Sequence, residues 1–393
     1  MGWKTSRLDE IAEVAIGPFG SSLKRDSYQT SGLPIVSGGE LQGMRWPTLD
    51  GVPHVDEATA QRLSRSVAQK GDLLFPHRGA IGRVAIAPGP VMLSTSMMRA
   101  RFDPTVIDPE FAFWFFTAEG NRELLTRASS VGTPGIGQPL ASLRSIWVRY
   151  PELPAQQAIA EVLGALDDKI AANRQVSYEI NDLLGALFLK VTDGCSYSKL
   201  GSIADVNRLS VKPRPRGELR YLDIASVGVG DYEIPETTDW SEAPGRARRG
   251  VQAGDTVWST VRPNRRSHCV VLDEDPLLVA STGLVVLSPR ECGPAFLFEA
   301  SRQKRFQEYL ESVAEGSAYP AVRAAAFEQA PVAKVDDTRL AEFESVALPL
   351  RAKQSKFRQE NRVLAATRDA LLPLLMSGKI TVIDAEKRVE QEV

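Results

Sequence analysis

The residues best suited to chemistry in this chain are arginines gathered in loops between apolar runs. A guanidinium is a planar fork that donates two parallel hydrogen bonds, a fit for a phosphate or for the O6/N7 edge of guanine. Asparagine can do the same for adenine. The densest cluster is Arg262, Asn264, Arg265 and Arg266, set between two apolar strands rather than spread along a helix face. Further candidates are Ser21, Ser22, Lys24 and Arg25; Arg78 and Arg83; Lys212, Arg214 and Arg216; and Arg246, Arg248 and Arg249. For any one of them a solvated surface cation is an equally good reading. The glycine loops at 17–22 and 132–137 also read as turns that need positive φ and nothing more.

No catalytic motif accompanies these loops. The chain has no phosphate-binding Gly-x4-Gly-Lys-Ser/Thr run and no Gly-x-Ser-x-Gly elbow. Gly228-Val229-Gly230 is followed by Asp-Tyr-Glu and fails as a dinucleotide fingerprint. His54, His77 and His268 lack partners at metal-ligand spacing, and Cys195, Cys269 and Cys292 fit neither a zinc site nor a disulfide framework. A chain of 393 residues, 43% hydrophobic and 24% charged, has the make-up of a globular protein with room for two or three domains. The net charge of −2 argues against a coat of cations but not against local basic loops. No run is apolar enough to span a membrane, and the first six residues lack an apolar signal core, so the expectation is a cytoplasmic protein.

Two stretches must position these loops. One opens at Leu153-Pro154 and places Ile159, Leu163, Leu166, Ile170, Asn173, Ile180, Leu184 and Leu187 on one helical stripe, ending at Asp193-Gly194. The other is expected to open at Leu348-Pro349 and carries Phe357, Asn361, Leu364, Leu371 and Leu375. They read either as core helices of the blocks before them or, given their length, as a mutual coiled coil in which Asn173 and Asn361 fix register. The blocks repeat one another. Leu200 to Val206 parallels Leu8 to Val14, Gly254-Asp255 parallels Gly71-Asp72, and the 316–320 break echoes that at 132–137. The expected division is a domain at 1–152, a helix at 153–191, a domain at 192–347, a helix at 348–380 and a tail at 381–393 that frays from Asp384. Within the first block one helix is expected over 109–127, with Phe111, Trp114, Phe115, Leu124 and Leu125 as its apolar face.

Leu153-Pro154, Gln157 and Ile159 leading into Leu166-Asp167-Asp168-Lys169-Ile170 and Asn173-Arg174, with the closing Leu371-Leu372-Pro373-Leu374-Leu375-Met376-Ser377-Gly378-Lys379-Ile380, resemble the DNA-specificity subunit of type I restriction-modification systems. The resemblance covers nearly the whole chain and takes in Ile16 to Lys24, Gly71-Asp72-Leu73-Leu74 and Arg78-Gly79. Arg-Pro-Asn-Arg-Arg replaces the His77–Arg83 pattern in the second block, which implies that the two domains read different sequences. The implied fold is α/β (α+β): two tandem target-recognition domains separated by the family's two conserved helices, paired as an antiparallel coiled coil. Each domain would bind half of a bipartite, asymmetric site on double-stranded DNA through the arginine loops. The helices would act as a spacer and dock two methyltransferase subunits through Ile159, Leu163, Leu166, Ile170, Asn173, Leu184, Phe357, Asn361, Leu364 and Leu371. Translocase/nuclease subunits would complete the complex. S-adenosylmethionine, ATP and Mg²⁺ would sit on those partners, leaving this chain without cofactor or active site. A helix of about 35 residues is about 50 Å long, near 15 base pairs. A subunit of a methylation-only system and a coiled-coil scaffold that binds no DNA are the alternative readings.

Overall fold

A computed structural model describes residues 2–129, 134–316 and 319–392. The chain divides into two compact units, residues 1–172 with 360–393 and residues 173–359. The division falls within both long helices, so each unit owns one half of each.

The first unit holds two four-stranded sheets. One runs in the order Ala12–Ile16, Met97–Phe102, Leu73–Pro76, Ala85–Ile86, antiparallel throughout. The other runs His54–Val55, Leu33–Val36, Val91–Leu93, Val67–Ala68, and its central pair is parallel. Leu73–Pro76 is buried on both faces, as its unbroken apolar run requires. Lys4–Arg7 pairs with Trp147–Tyr150 in a separate ribbon.

The single helix expected over 109–127 is interrupted. Pro109–Phe115 starts at Asp108, whose carboxylate accepts from the Phe111 N–H, and a π-turn at Phe116–Gly120 then precedes Asn121–Thr126. A Cβ at Gly120 would lie 2.5 Å from the Phe116 ring, so the turn exists where a missing side chain lets the aromatics in. The changed phase also leaves Leu125 half exposed, against the expectation that it joins the apolar face.

The second unit repeats both four-stranded sheets and the ribbon. Its sheets run Ala204–Val206, Leu284–Pro289, Thr256–Ser259, His268–Val270 and Thr237–Asp239, Glu218–Leu222, Leu278–Ser281, Ala247–Gly250. The central pair of the second sheet is again the parallel one. Tyr197–Lys199 and Pro331–Ala333 form the ribbon, and Pro294–Arg302 with Lys304–Ser312 occupies the place of the aromatic helix. The internal repeat read from the sequence is therefore a repeat of topology.

The first long helix is Leu153–Val191, 39 residues. The second is Asp337–Met376, 40 residues, and does not begin at Leu348 as expected. Asp336 caps it, accepting from the Arg339 N–H at 2.9 Å. Pro349 lies inside the helix, where proline forfeits one backbone hydrogen bond. The buried stripe already starts upstream at Phe343 and Ala347. The tail is not frayed either. Val382–Glu392 is a helix opened by a reciprocal pair: the Thr381 N–H donates to the Asp384 carboxylate (3.0 Å) and the Asp384 N–H to the Thr381 hydroxyl (3.2 Å).

Within each unit the two helix halves run antiparallel. In the first, Lys169 pairs with Glu360 at 3.3 Å and Asp167 with Arg368 at 2.6 Å. Ile159, Leu163, Leu166 and Ile170 share a core with Leu364, Leu371 and Leu375, and also with Phe111 and Trp114 of the domain. In the second, Gln354 donates to the Ser177 carbonyl at 2.7 Å and Arg351 to Asn181 at 2.5 Å. Ile180, Leu184 and Phe188 there join Phe343, Phe296 and Phe306. The two readings of the stripes thus hold together: the helices pair, and each half is also a core helix of its domain.

Candidate nucleic-acid interface

In the second unit the arginine loop leaves the end of the buried strand Thr256–Ser259. Arg262 (φ 51°) and Arg266 (φ 55°) both take the left-handed conformation and bracket one 3-10 turn, Pro263–Arg265. Such φ values are uncommon outside glycine and persist where surroundings impose them. Those surroundings are visible. The Arg262 N–H donates to the Pro320 carbonyl (2.7 Å), Val322 N–H to the Thr260 carbonyl (2.8 Å) and Thr260 N–H to the Gly283 carbonyl (3.0 Å). His268 Nδ1 donates to the Arg266 carbonyl at 2.6 Å, with its ring stacked on Trp258 at 4.5 Å. Burial pushes the His268 imidazole down to about 3, so it is a neutral brace. Held in this way, the loop exposes Asn264, Arg265 and Arg266, while Arg262 lies over the exposed Tyr319 ring at 4.6 Å.

Backbone bonds seat Arg246 and Arg248 of the same unit. Thr282 N–H donates to the Arg246 carbonyl and Val211 N–H to that of Arg248, both at 2.8 Å. Lys212, Arg214, Arg216 and Arg246 are exposed; Arg248 and Arg249 are half-buried. Arg248 donates to the neighbouring Ala247 carbonyl (2.8 Å), which turns its head back along the strand.

The first unit uses the same frame with a different loop. Gly79 N–H donates to the Pro134 carbonyl (2.8 Å), Ile136 N–H to that of His77 (2.9 Å) and His77 N–H to that of Ser96 (2.8 Å). Gly79 (φ 84°) and Gly82 (φ 98°) make its turns. Arg78 is exposed. Arg83 is a brace: its Nη1 donates to the Leu41 carbonyl at 2.9 Å and contacts that of Gly38 at 3.4 Å. Ser21, Lys24 and Arg25 are exposed on the 17–25 loop, and Ser22 is half-buried. Residues 130–133 of the glycine loop and Ser317 and Ala318 of its counterpart lie outside the described residues.

The spacer residues are placed as follows. Ile159, Leu163, Leu166, Ile170, Asn173, Leu184, Leu364 and Leu371 are buried; Phe357 and Asn361 are half-buried. Gln157 of the expected motif is exposed. Gln156 is the fully buried one, accepting from the Asp108 N–H and donating to the Val106 and Pro151 carbonyls, all at 2.9 Å.

Two arginines escaped the sequence reading. Arg45 is 5% exposed and reaches from a first-unit loop to Glu110 (2.9 Å) and to Asp168 on the long helix, beside the Trp46 ring. A Cβ at Gly164 would lie 2.4 Å from its Nη1. A glycine inside a long helix costs about 1 kcal/mol, and that anomaly was the available signal. Arg351 is 2% exposed and pairs with Glu299, itself 1% exposed and also bonded to Arg302 at 3.1 Å. Burial lowers the Arg351 guanidinium to about 10. Nothing in the linear pattern marked it.

Among the described residues no group of His, Cys, Asp and Glu is placed to hold a metal ion, and no helix is long and apolar enough to cross a membrane. The three cysteines are free thiols; burial pushes Cys269 and Cys292 up to about 12.

Residues 1–182 match the family described as Type I restriction modification DNA specificity domain. Over 180 residues the chain is 27% identical to the Type I restriction enzyme MjaIX specificity subunit of Methanocaldococcus jannaschii; the match covers 45% of this chain and 40% of that relative. The S subunit of a type I restriction-modification system from M. genitalium shares the fold over 95% of this chain and 96% of its own, with a TM-score of 0.63 at 15% identity. The HsdS subunit from Thermoanaerobacter tengcongensis aligns over 96% of this chain and 97% of its own at 16% identity, with a TM-score of 0.37 that bears no weight.

Proposed function

We propose that this chain is the non-catalytic specificity subunit of a type I restriction-modification complex. Each unit binds one half of a bipartite, asymmetric site on double-stranded DNA, and the long helices set the spacer and dock two methyltransferase subunits. Translocase/nuclease subunits join these, and S-adenosylmethionine, ATP and Mg²⁺ belong to the partners. The observation that supports this reading best is the duplicated frame with a different arginine loop in each copy. Two copies of one scaffold with unlike loops suit two unlike half-sites. Phosphate contacts would fix register and base-edge contacts would choose sequence.

Methylome sequencing of a host that expresses this chain with its methyltransferase tests the proposal. A bipartite asymmetric motif with a fixed spacer is expected; a continuous or palindromic motif, or no new methylation, overturns it. Deleting one heptad from the long helices should shorten the spacer and leave both half-sites unchanged, and an unchanged spacer removes the ruler from the proposal.

A further inference from the structure

Phe19 has no role in the chemistry above, and its placement is unusual. Its side chain is 83% exposed, more than any other large hydrophobic side chain among the described residues. A bare phenylalanine gains nothing from water and is costly to present. Its loop is nevertheless firmly seated. Gly17 N–H donates to the Met97 carbonyl (2.7 Å), and Ser22 N–H closes the turn on the Phe19 carbonyl (2.8 Å). Ser66 Oγ donates to the Ile16 carbonyl (3.1 Å), Arg62 Nη2 to that of Ser22 (3.2 Å), and Leu23 is buried. A Cβ at Gly17 would sit 1.8 Å from the Ser94 carbonyl oxygen, so glycine alone permits this seat, whereas at Gly20 a Cβ meets nothing within 4 Å. The result is a pinned turn with an open tip carrying one aromatic ring.

The charges beside the ring select its occupant. Lys24 and Arg25 are exposed on the same loop and Arg62 braces it, against the one exposed carboxylate of Asp26. An apolar ring flanked by cations suits a stack of bases between phosphates better than an apolar protein surface. We propose that Phe19 is a wedge that enters between stacked base pairs of the half-site bound by the first unit, with Lys24 and Arg25 on the neighbouring phosphates. This rests on the reading that the unit binds DNA. Among the described residues the second unit has no equivalent on the matching loop. Its corresponding segment after Ala204–Val206 carries Asn207, Arg208 and Leu209 and no ring; its exposed rings, Tyr178, Tyr197 and Tyr319, lie on other segments, with Tyr197 under Arg305 at 4.1 Å and Tyr319 under Arg262 at 4.6 Å. The wedge therefore acts on one half-site alone.

The test uses the full chain purified with its methyltransferase subunits and a duplex carrying its methylation motif. 2-Aminopurine is placed in turn along both half-sites, and its fluorescence reports unstacking. The expected result is a rise at one step of one half-site, away from the methylated adenines. Phe19→Ala should lose that rise and bind about tenfold more weakly, with thermal unfolding unchanged, whereas Phe19→Trp should keep it. A rise that survives in Phe19→Ala, or no rise although the duplex is bound, overturns the wedge and leaves the DNA-binding reading standing. Failure of the unaltered complex to bind the duplex overturns both. Loss of the methyltransferase subunits from Phe19→Ala, with the fluorescence rise intact, places the ring in a protein interface and overturns the wedge.

Discussion

The two units share strand order, the site of their one parallel pair and the helix that follows, yet they differ where solvent and charge meet the frame. In the first, the arginine loop turns on glycines and spends Arg83 on carbonyls of its own domain. In the second, arginines themselves take left-handed φ and four polar side chains crowd a short span. The joints to the helices differ as well. The first unit sends Arg45 from a loop onto the helix, where its carboxylate partners stay partly exposed (42% and 63%). The second sends Arg351 from the helix into a domain helix, where Glu299 is 1% exposed. A topology fixed by apolar burial leaves surface and joint free to diverge, because neither is needed to close the sheets.

The largest expected effect tests the loops. Replacing Arg262, Asn264, Arg265 and Arg266 together with alanine should abolish methylation at the native site, while each single loss of a bidentate base contact should cost about 1–3 kcal/mol of binding. Normal methylation in the quadruple variant would show that this loop is no contact, and the contrast with the first unit would lose its functional meaning.

The joints come next. Arg351→Met takes the buried guanidinium away from Glu299 and leaves that carboxylate to Arg302 alone, and should destabilise the second unit by about 3–5 kcal/mol. Arg45→Met leaves carboxylates that water reaches, and about 1–2 kcal/mol is expected for the first unit. Denaturant unfolding of the two variants measures both; equal losses would break the contrast between joints.

The smallest effect is in pH. His268 is held at about 3, far below its ordinary 6.5, so the unfolded chain takes up a proton in that interval and the folded chain does not. Its contribution to stability is full above about 6.5 and is lost as pH falls towards 3. His77 is lowered too, again chiefly by burial. His268→Asn should therefore flatten the acid limb of the second unit's stability profile more than His77→Asn flattens that of the first. A wild-type slope in His268→Asn would remove His268 as the cause.

Much of this architecture was legible in the chain. The repeat of Gly71-Asp72 at Gly254-Asp255, the stripe from Ile159 to Leu184 and the arginines at 262–266 all lie in local runs, and periodicity and composition report local geometry directly. The start of the second helix was misplaced because Leu348-Pro349 mimics a first turn, while Asp336, the real cap, precedes a weaker stripe. The π-turn at Phe116–Gly120 was invisible for a related reason: it depends on which rings meet Gly120 in three dimensions.

What residue order settles here is the scaffold: two copies of one α/β frame and the two helices, since apolar spacing dictates what each segment must bury. Folding alone decides which charges are braces and which are free. Arg83 and Arg78 sit five positions apart and look alike in the chain, but only one finds carbonyls within reach. Arg45 meets Asp168, and Arg351 meets Glu299, across separations that no local pattern encodes. Desolvation and hydrogen-bond geometry are properties of the assembled fold, and they decide which arginines remain exposed to face a ligand.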